Sequence, residues 1–184
     1  MKWTEWIYNG AIHAGLPLAV GGSYYGFQGR QPHAHTVQKF NTVSSKHLDG
    51  PVRIWFHGAS VGEAGLINQL LEWTDELGVR SENVFVTTQT LSGLDRVDHH
   101  RKVLLPADYP ALIGPLARRI DSDTLAVLET EIWPNLYRQH PHDLLLLNAR
   151  MSDSTRNTYG TITPLIRDSL DHCECILARS ETDR

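Results

Sequence analysis

His57-Gly58-Ala59-Ser60-Val61-Gly62-Glu63 is the stretch on which the reading of the fold turns. It follows Val52-Arg53-Ile54-Trp55-Phe56, an apolar run of strand character. It precedes Ala64 to Leu77, in which Leu66, Ile67, Leu70, Leu71 and Leu77 recur at helical spacing. The pattern therefore predicts a strand-to-helix turn. At the carboxyl end of a strand in an open α/β sheet, such a turn aims backbone N–H groups and a helix dipole into the ligand crevice. The glycines are expected to let the chain turn tightly, and Glu63 is the ionisable group placed there.

Outward from this stretch the alternation continues. Strands are predicted at Val52 to Phe56, Val84 to Thr88, Val103 to Leu105, Leu125 to Leu128, Leu144 to Leu147 and Cys175 to Ala178. Helices are predicted from about Glu63 to Gly78, a natural C′ residue, from Tyr109 to Ile120, from about Pro134, and from a Ser152 cap to about Leu170. After Thr88 the chain reads as a loop through Gly93. Strands alternating with helices imply βαβ units with right-handed crossovers. The expected fold class is therefore α/β, a Rossmann-like, mainly parallel sheet with helices on both faces. No Gly-x-Gly-x-x-Gly or Walker-type loop follows any of these strands, which disfavours an unrelated nucleotide-binding domain.

Composition sets the remaining bounds. A chain of 184 residues with 41% hydrophobic and 21% charged residues suits one soluble domain with a real core. Its net charge of -4 argues against a general nucleic-acid binder. Cys173 and Cys175 sit at strand spacing, a poor disulfide geometry, so a reducing compartment is the simplest inference. No run approaches the length needed to cross a bilayer. Residues 1–50 are set apart as an apolar, aromatic segment and linker, and residues 51–184 as the domain. The first 27 residues, with Trp3, Trp6, Ile7, Tyr8, Ile12, Tyr24, Tyr25 and Phe27, either lie in a membrane interface or pack over the domain. In the linker, His33 and His35 lack companions at ligand spacing and read as exposed histidines rather than a metal site; Arg30 and Lys39 are available for anions.

Three loops after strands carry polar residues. Ser60 and Glu63 fit Ser-x-x-Glu, a capping box in which the hydroxyl binds the N3 amide and the glutamate reaches back to the cap amide; a catalytic glutamate is the alternative. Thr87-Thr88-Gln89-Thr90-Leu91-Ser92-Gly93 offers hydroxyls to a sugar or phosphate, or to its own backbone. In Glu129-Thr130-Glu131-Ile132-Trp133-Pro134-Asn135, Glu129 and Glu131 would share a side if the strand continued, and two carboxylates that close raise the proton affinity of one of them. Glu131 reads otherwise as a favourable charge at the helix opening at Pro134.

Taken together, His57 to Glu63, Thr87 to Gly93, Leu105-Pro106-Ala107-Asp108-Tyr109-Pro110, Glu129 to Asn135 and Asn148-Ala149-Arg150-Met151-Ser152 resemble the 3-deoxy-D-manno-octulosonic acid (Kdo) transferases of lipid A assembly, in order and spacing. The resemblance implies the amino-terminal half of a GT-B glycosyltransferase, in which two Rossmann-like domains face each other across a cleft. It implies an inverting transfer of Kdo from the donor CMP-Kdo to a lipid A precursor at the cytoplasmic face of the bacterial inner membrane, with no metal or other cofactor. Glu63 matches the general base and Glu129 the position assigned to transition-state stabilisation. Ser60, Gly62, Thr88, Thr90, Gly93, Glu131, Asn148 and Arg150 match residues lining the cleft. Residues 21–30 do not follow the family's basic Arg/Lys, Gly and Glu pattern. The family's donor-binding half would follow Arg184, so these residues alone are expected to be inactive. The competing expectation is a stand-alone glycolipid-binding or interaction domain without transfer chemistry.

Overall fold

The computed structural model describes residues 3–26, 48–129, 131–150 and 162–181, with side chains as far as residue 15 in the first segment. In chain order the elements are α1 (Trp3–Gly26), β1 (Ile54–Gly58), α2 (Val61–Glu76), β2 (Val84–Thr88), α3 (Leu91–Arg96), β3 (Lys102–Leu104), α4 (Pro110–Ile120), β4 (Thr124–Leu128), α5 (Pro134–Gln139), β5 (Asp143–Ala149), α6 (Thr163–Leu170) and β6 (Cys175–Ala178). The strands form one sheet in the order β3-β2-β1-β4-β5-β6, and every neighbouring pair is parallel. Parallel strands need crossovers, and here they carry helices to both faces. On one face Trp55, Phe85, Leu125, Val127, Leu144 and Leu146 pack with Ile113, Leu116 and Ile120 of α4 and Leu136 and Tyr137 of α5. On the other, Phe56, Val86, Ala126 and Leu128 pack with Ala64 and Ile67 of α2. Alternate residues of the same strand thus feed two separate apolar layers, which is why the strands read as unbroken apolar runs.

The strand order reverses between β1 and β4. The chain first builds β1, β2 and β3 in one direction, then crosses over to lay β4 on the other side of β1. Loops leaving the carboxyl ends of β1 and β4 therefore diverge to opposite faces and leave a crevice, the place where open α/β sheets take ligands.

Several sequence expectations are shifted. β1 runs on through His57 and Gly58, which pair with Thr87 and Thr88, so the turn is Ala59-Ser60 and the helix opens at Val61 rather than near Glu63. Periodicity missed this because His57, a polar residue, is fully buried. Its Nδ1 lies 2.9 Å from the Thr87 hydroxyl, to which the Trp55 indole donates at 2.8 Å. Neither Gly58 nor Gly62 has a positive φ, so neither is there to bend the turn. In the stretch Thr87 to Gly93, Thr87 and Thr88 end β2 and Leu91 to Gly93 open α3, capped by Thr90, where a loop was expected. Cys175 lies in β6 but Cys173 precedes it; both thiols are free, and burial pushes the Cys173 thiol up to about 11. Gly78, with φ of 76°, follows the α2 C-cap as expected. The Ser152 cap, His33, His35, Arg30 and Lys39 lie outside the described residues.

The amino-terminal segment is a helix that packs over the domain by one face. Thr4, Glu5, Tyr8, Asn9 and His13, at helical spacing, meet Asp168 (2.5 Å), Arg138 (3.0 Å), Asp108 (2.8 Å), Asn135 (3.0 Å) and Tyr109 (3.0 Å) respectively. Trp3, Trp6 and Ile7 remain 64%, 67% and 62% exposed on the same helix. Among the described residues no helix is long and apolar enough to cross a membrane.

Candidate functional site

The loop after β1 is held by its own chemistry. Ser60 is the N-cap of α2, with extended backbone and a hydroxyl that accepts from the Glu63 amide at 3.3 Å. The same hydroxyl donates to Glu63 Oε1 at 2.7 Å. Glu63 Oε2 accepts from the amide of Ala59. The capping box is therefore present, but its return arm satisfies the residue before the cap rather than the cap amide. Glu63 is only 5% exposed, and each oxygen of its carboxylate is oriented by one donor. Gly58 makes this packing feasible, since a Cβ there would stand 3.0 Å from the Glu63 Cβ and 3.1 Å from Ile67 Cδ1. Glycine is required at this position for close approach. A Cβ on Gly62 would meet only ordinary contact, with Ser60 Oγ at 3.7 Å.

The loop after β2 is stitched to the first. Thr88, the last and fully buried residue of β2, donates to the Thr90 carbonyl at 3.1 Å. Thr90 Oγ1 accepts from the Gly93 amide and donates to the Ala59 carbonyl, both at 3.1 Å. Gly93 lies so close to Ser60 that a Cβ would stand 3.4 Å from the Ser60 carbonyl and 2.9 Å from Thr90 Oγ1. Thr90→Val keeps the shape and removes both bonds. We expect it to cost about 1–2 kcal/mol in chemical denaturation, with Thr90→Ser restoring most of it.

Across the switch point, β4 ends at Leu128 and the strand does not continue. Glu129 turns into the left-handed region with φ of 58°, so the strand-borne side-by-side arrangement of Glu129 and Glu131 does not form. Asn148 on the neighbouring β5 does the same, with φ of 55°, where the β5–β6 register slips between Leu147 and Ala149. The two strained residues are adjacent, since the Glu129 amide donates to the Leu147 carbonyl at 2.8 Å. Asparagine tolerates this conformation; glutamate does so at a cost of about 1 kcal/mol or more, a kind of strain that concentrates at functional sites. Arg150 Nε donates to Glu129 Oε2 at 3.1 Å, with the arginine side chain 54% and the glutamate 22% exposed. Glu131 is half-buried and lends its backbone carbonyl to the Tyr137 hydroxyl at 2.8 Å.

The candidates thus fall into two groups at the carboxyl end of the sheet, on either side of the point where the strand order reverses. Ser60, Gly62, Glu63, Thr88, Thr90 and Gly93 lie at the carboxyl ends of β1 and β2 and the helix starts that follow them; Glu129, Asn148 and Arg150 lie at the carboxyl ends of β4 and β5. His57 and Trp133 stand between them, with ring centroids 6.4 Å apart in edge-to-face geometry. The sequence reading passed over both. A polar residue closing an otherwise apolar strand was the available signal for His57. No group of three or more His, Cys, Asp or Glu residues able to hold a metal is present among the described residues.

The comparisons with known proteins bear on the whole of this region. A family profile for 3-deoxy-D-manno-octulosonic-acid transferase (kdotransferase) matches residues 28–184. The 3-deoxy-D-manno-octulosonic acid transferase of Haemophilus influenzae is 32% identical over 138 residues, covering 68% of this chain and 31% of that protein. A probable mitochondrial 3-deoxy-D-manno-octulosonic acid transferase of Arabidopsis thaliana is 28% identical over 140 residues, 70% of this chain and 31% of that one. A bifunctional glycosyltransferase/methyltransferase of Fusobacterium nucleatum is 25% identical over 141 residues, 71% of this chain and 22% of that protein. The matched part of the chain thus spans a third or less of these relatives.

Proposed function

Because the chain belongs to the 3-deoxy-D-manno-octulosonic-acid transferase family, we propose that it forms the acceptor half of a transferase that moves Kdo from CMP-Kdo to a lipid A precursor. The observation that carries this reading is the placement of Glu63 and Glu129. They follow adjoining strands at the point where the strand order reverses, and each carboxylate is oriented by named neighbours.

Glu63 is the general base. Its carboxylate, steadied by the Ala59 amide and the Ser60 hydroxyl, takes the proton of the acceptor sugar's hydroxyl, whose oxygen attacks the anomeric carbon of Kdo. The bond from that carbon to the CMP phosphate breaks, CMP leaves with the electron pair, and the configuration inverts. Lone pairs not engaged by Ala59 and Ser60 remain on both oxygens for this proton. Glu129 faces the positive charge that develops on the sugar, and Arg150 holds its carboxylate in place. Neither glutamate achieves this alone, since rate depends on holding donor and acceptor in register, and CMP-Kdo is bound by a second domain.

The exposed face of α1 supports the membrane part of the proposal. Two tryptophans and an isoleucine on one exposed helical surface suit the headgroup boundary of a bilayer, where the lipid acceptor resides. We assign the site to the cytoplasmic side of the inner membrane, with α1 lying on the surface.

The test is a transfer assay with CMP-Kdo and a lipid A precursor in detergent micelles, read by mass, on the protein carrying this chain together with a donor domain and on residues 1–184 alone. The first is expected to add Kdo and the second is not. No transfer by the longer protein would refute the function, and equal transfer by both would refute the division of the cleft.

A further inference from the structure

Asp108 belongs to the Leu105 to Pro110 stretch, for which the chemistry above has no use, and it is only 5% exposed. Both of its oxygens are engaged. Oδ1 accepts from the Leu136 amide at 2.9 Å, and Oδ2 accepts from the Asn135 amide at 3.0 Å and the Tyr8 hydroxyl at 2.8 Å. Asn135 and Leu136 are the second and third residues of α5, whose N-cap, Trp133, makes no side-chain cap bond. Proline occupies the first helical position and has no N–H to satisfy. Asp108, some 27 residues away in sequence, is therefore the cap of α5.

The same few residues hold α1. The Asn135 side-chain amide donates to the Asp108 carbonyl at 2.6 Å and to Asn9 Oδ1 at 3.0 Å. Arg138, one turn along α5, pairs with Glu5 of α1 at 3.0 Å, with side chains 22% and 12% exposed. Tyr137 of α5 in turn holds the Glu131 carbonyl at 2.8 Å. Contacts thus run without a break from α1, through Asp108 and α5, to the loop after β4. Burial pushes the Asp108 carboxyl up, and the amides and the Tyr8 hydroxyl pull it back by bonding its charged form; the Tyr8 hydroxyl is raised by burial and by the Asp108 charge beside it. Neither group gives up its partner without leaving a buried polar atom unsatisfied.

We propose that Asp108 is a positioning residue: by one buried carboxylate it fixes the start of α5, and with it the Glu131 to Trp133 part of the loop after β4, to helix α1. Seating of α1 and placement of one wall of the crevice are then a single event. On the functional reading above, on which this last step rests, a helix resting on the membrane sets the wall that receives the lipid acceptor.

Hydrogen exchange on residues 1–184, read by mass spectrometry, tests this in wild type, Asp108→Asn and Tyr8→Phe. Asparagine keeps one acceptor for two amides. Asp108→Asn is expected to speed exchange about tenfold or more in peptides covering 3–13 and 131–139, with β1 and β2 unchanged. Tyr8→Phe, which removes one hydroxyl from α1, is expected to speed exchange several-fold in both regions. Acceleration spread evenly over the sheet would reduce Asp108 to general stability and overturn the proposal. Should Asp108→Asn fail to fold, unchanged exchange at 131–139 in Tyr8→Phe overturns it equally. Loss of protection in these regions, with Tyr8→Phe leaving transfer by the longer protein at full rate, would uphold the linkage of α1 to α5 and overturn its last step, that this wall receives the acceptor; absence of transfer by the wild-type longer protein would refute the functional reading instead.

Discussion

Glu63→Gln in the transferase carrying this domain is expected to lower the transfer rate by about a hundredfold to ten-thousandfold, the range set by loss of a positioned base. The melting temperature should scarcely move. The structure explains why the two effects separate. Glutamine is isosteric, its carbonyl oxygen can accept from the Ala59 amide, and its NH2 can donate to Ser60 Oγ once that hydroxyl rotates away. Ser60 keeps its bond from the residue 63 amide, so the cap survives. What disappears is the ability to take a proton. Glu63→Ala is the contrasting control, because it strips both the base and the return arm of the cap and should cost about 1 kcal/mol as well. A Glu63→Gln protein with normal stability and full rate would leave Glu63 as a cap and end its role as base.

The second large effect is expected at Glu129, and there stability and activity should part in opposite senses. Glu129→Gly relieves a side chain held at φ of 58° and gives up a pair with a half-exposed arginine. The first is worth about 1 kcal/mol or more in favour of the variant and the second no more than about 1 kcal/mol against it. Denaturation should therefore find the variant as stable as wild type or slightly more so. Its transfer rate is expected to fall about a hundredfold or more, as when an electrostatic group aimed at the transition state is removed. Marked destabilisation would mean that Glu129 is retained for structure, and an unchanged rate would remove it from the chemistry.

Both glutamates stand out in the sequence, for different reasons. Glu63 announces itself through Ser-x-x-Glu at the start of an apolar helix, a local pattern whose hydrogen bonds span three residues. Glu129 is conspicuous as a charge placed directly after the buried run Leu125 to Leu128. The positive φ that turns it away from Glu131 was not legible. It arises where β4 stops and the chain must clear β5, and that neighbour is supplied by the tertiary structure alone. Helix α3 was missed for a related reason, since its six residues carry no apolar period and its cap, Thr90, is stabilised by the carbonyl of Ala59 on another strand's loop.

The sequence left the amino-terminal segment between a membrane interface and packing over the domain because its apolar residues were the ones that stood out; it packs over the domain. Its docking face is polar: Thr4, Glu5, Tyr8, Asn9 and His13 recur at helical spacing and find partners more than ninety residues away. The aromatic residues that drew attention, Trp3 and Trp6, are the ones left outside.

The sequence by itself determined the alternation of strands and helices, the α/β class, the cap at Ser60 and the family. Each of these rests on spacing within a few residues or on short motifs in order, and local backbone preference and side-chain period suffice to read them. Only the tertiary structure decided that β4 lies against β1, and hence that Glu63 and Glu129 follow adjoining strands. It alone decided that Asp108 caps a helix it does not precede, and that α1 seats on that same carboxylate. These are pairings between segments far apart in the chain, chosen by which apolar faces bury together and which buried polar atoms must be satisfied, and no local pattern records that choice.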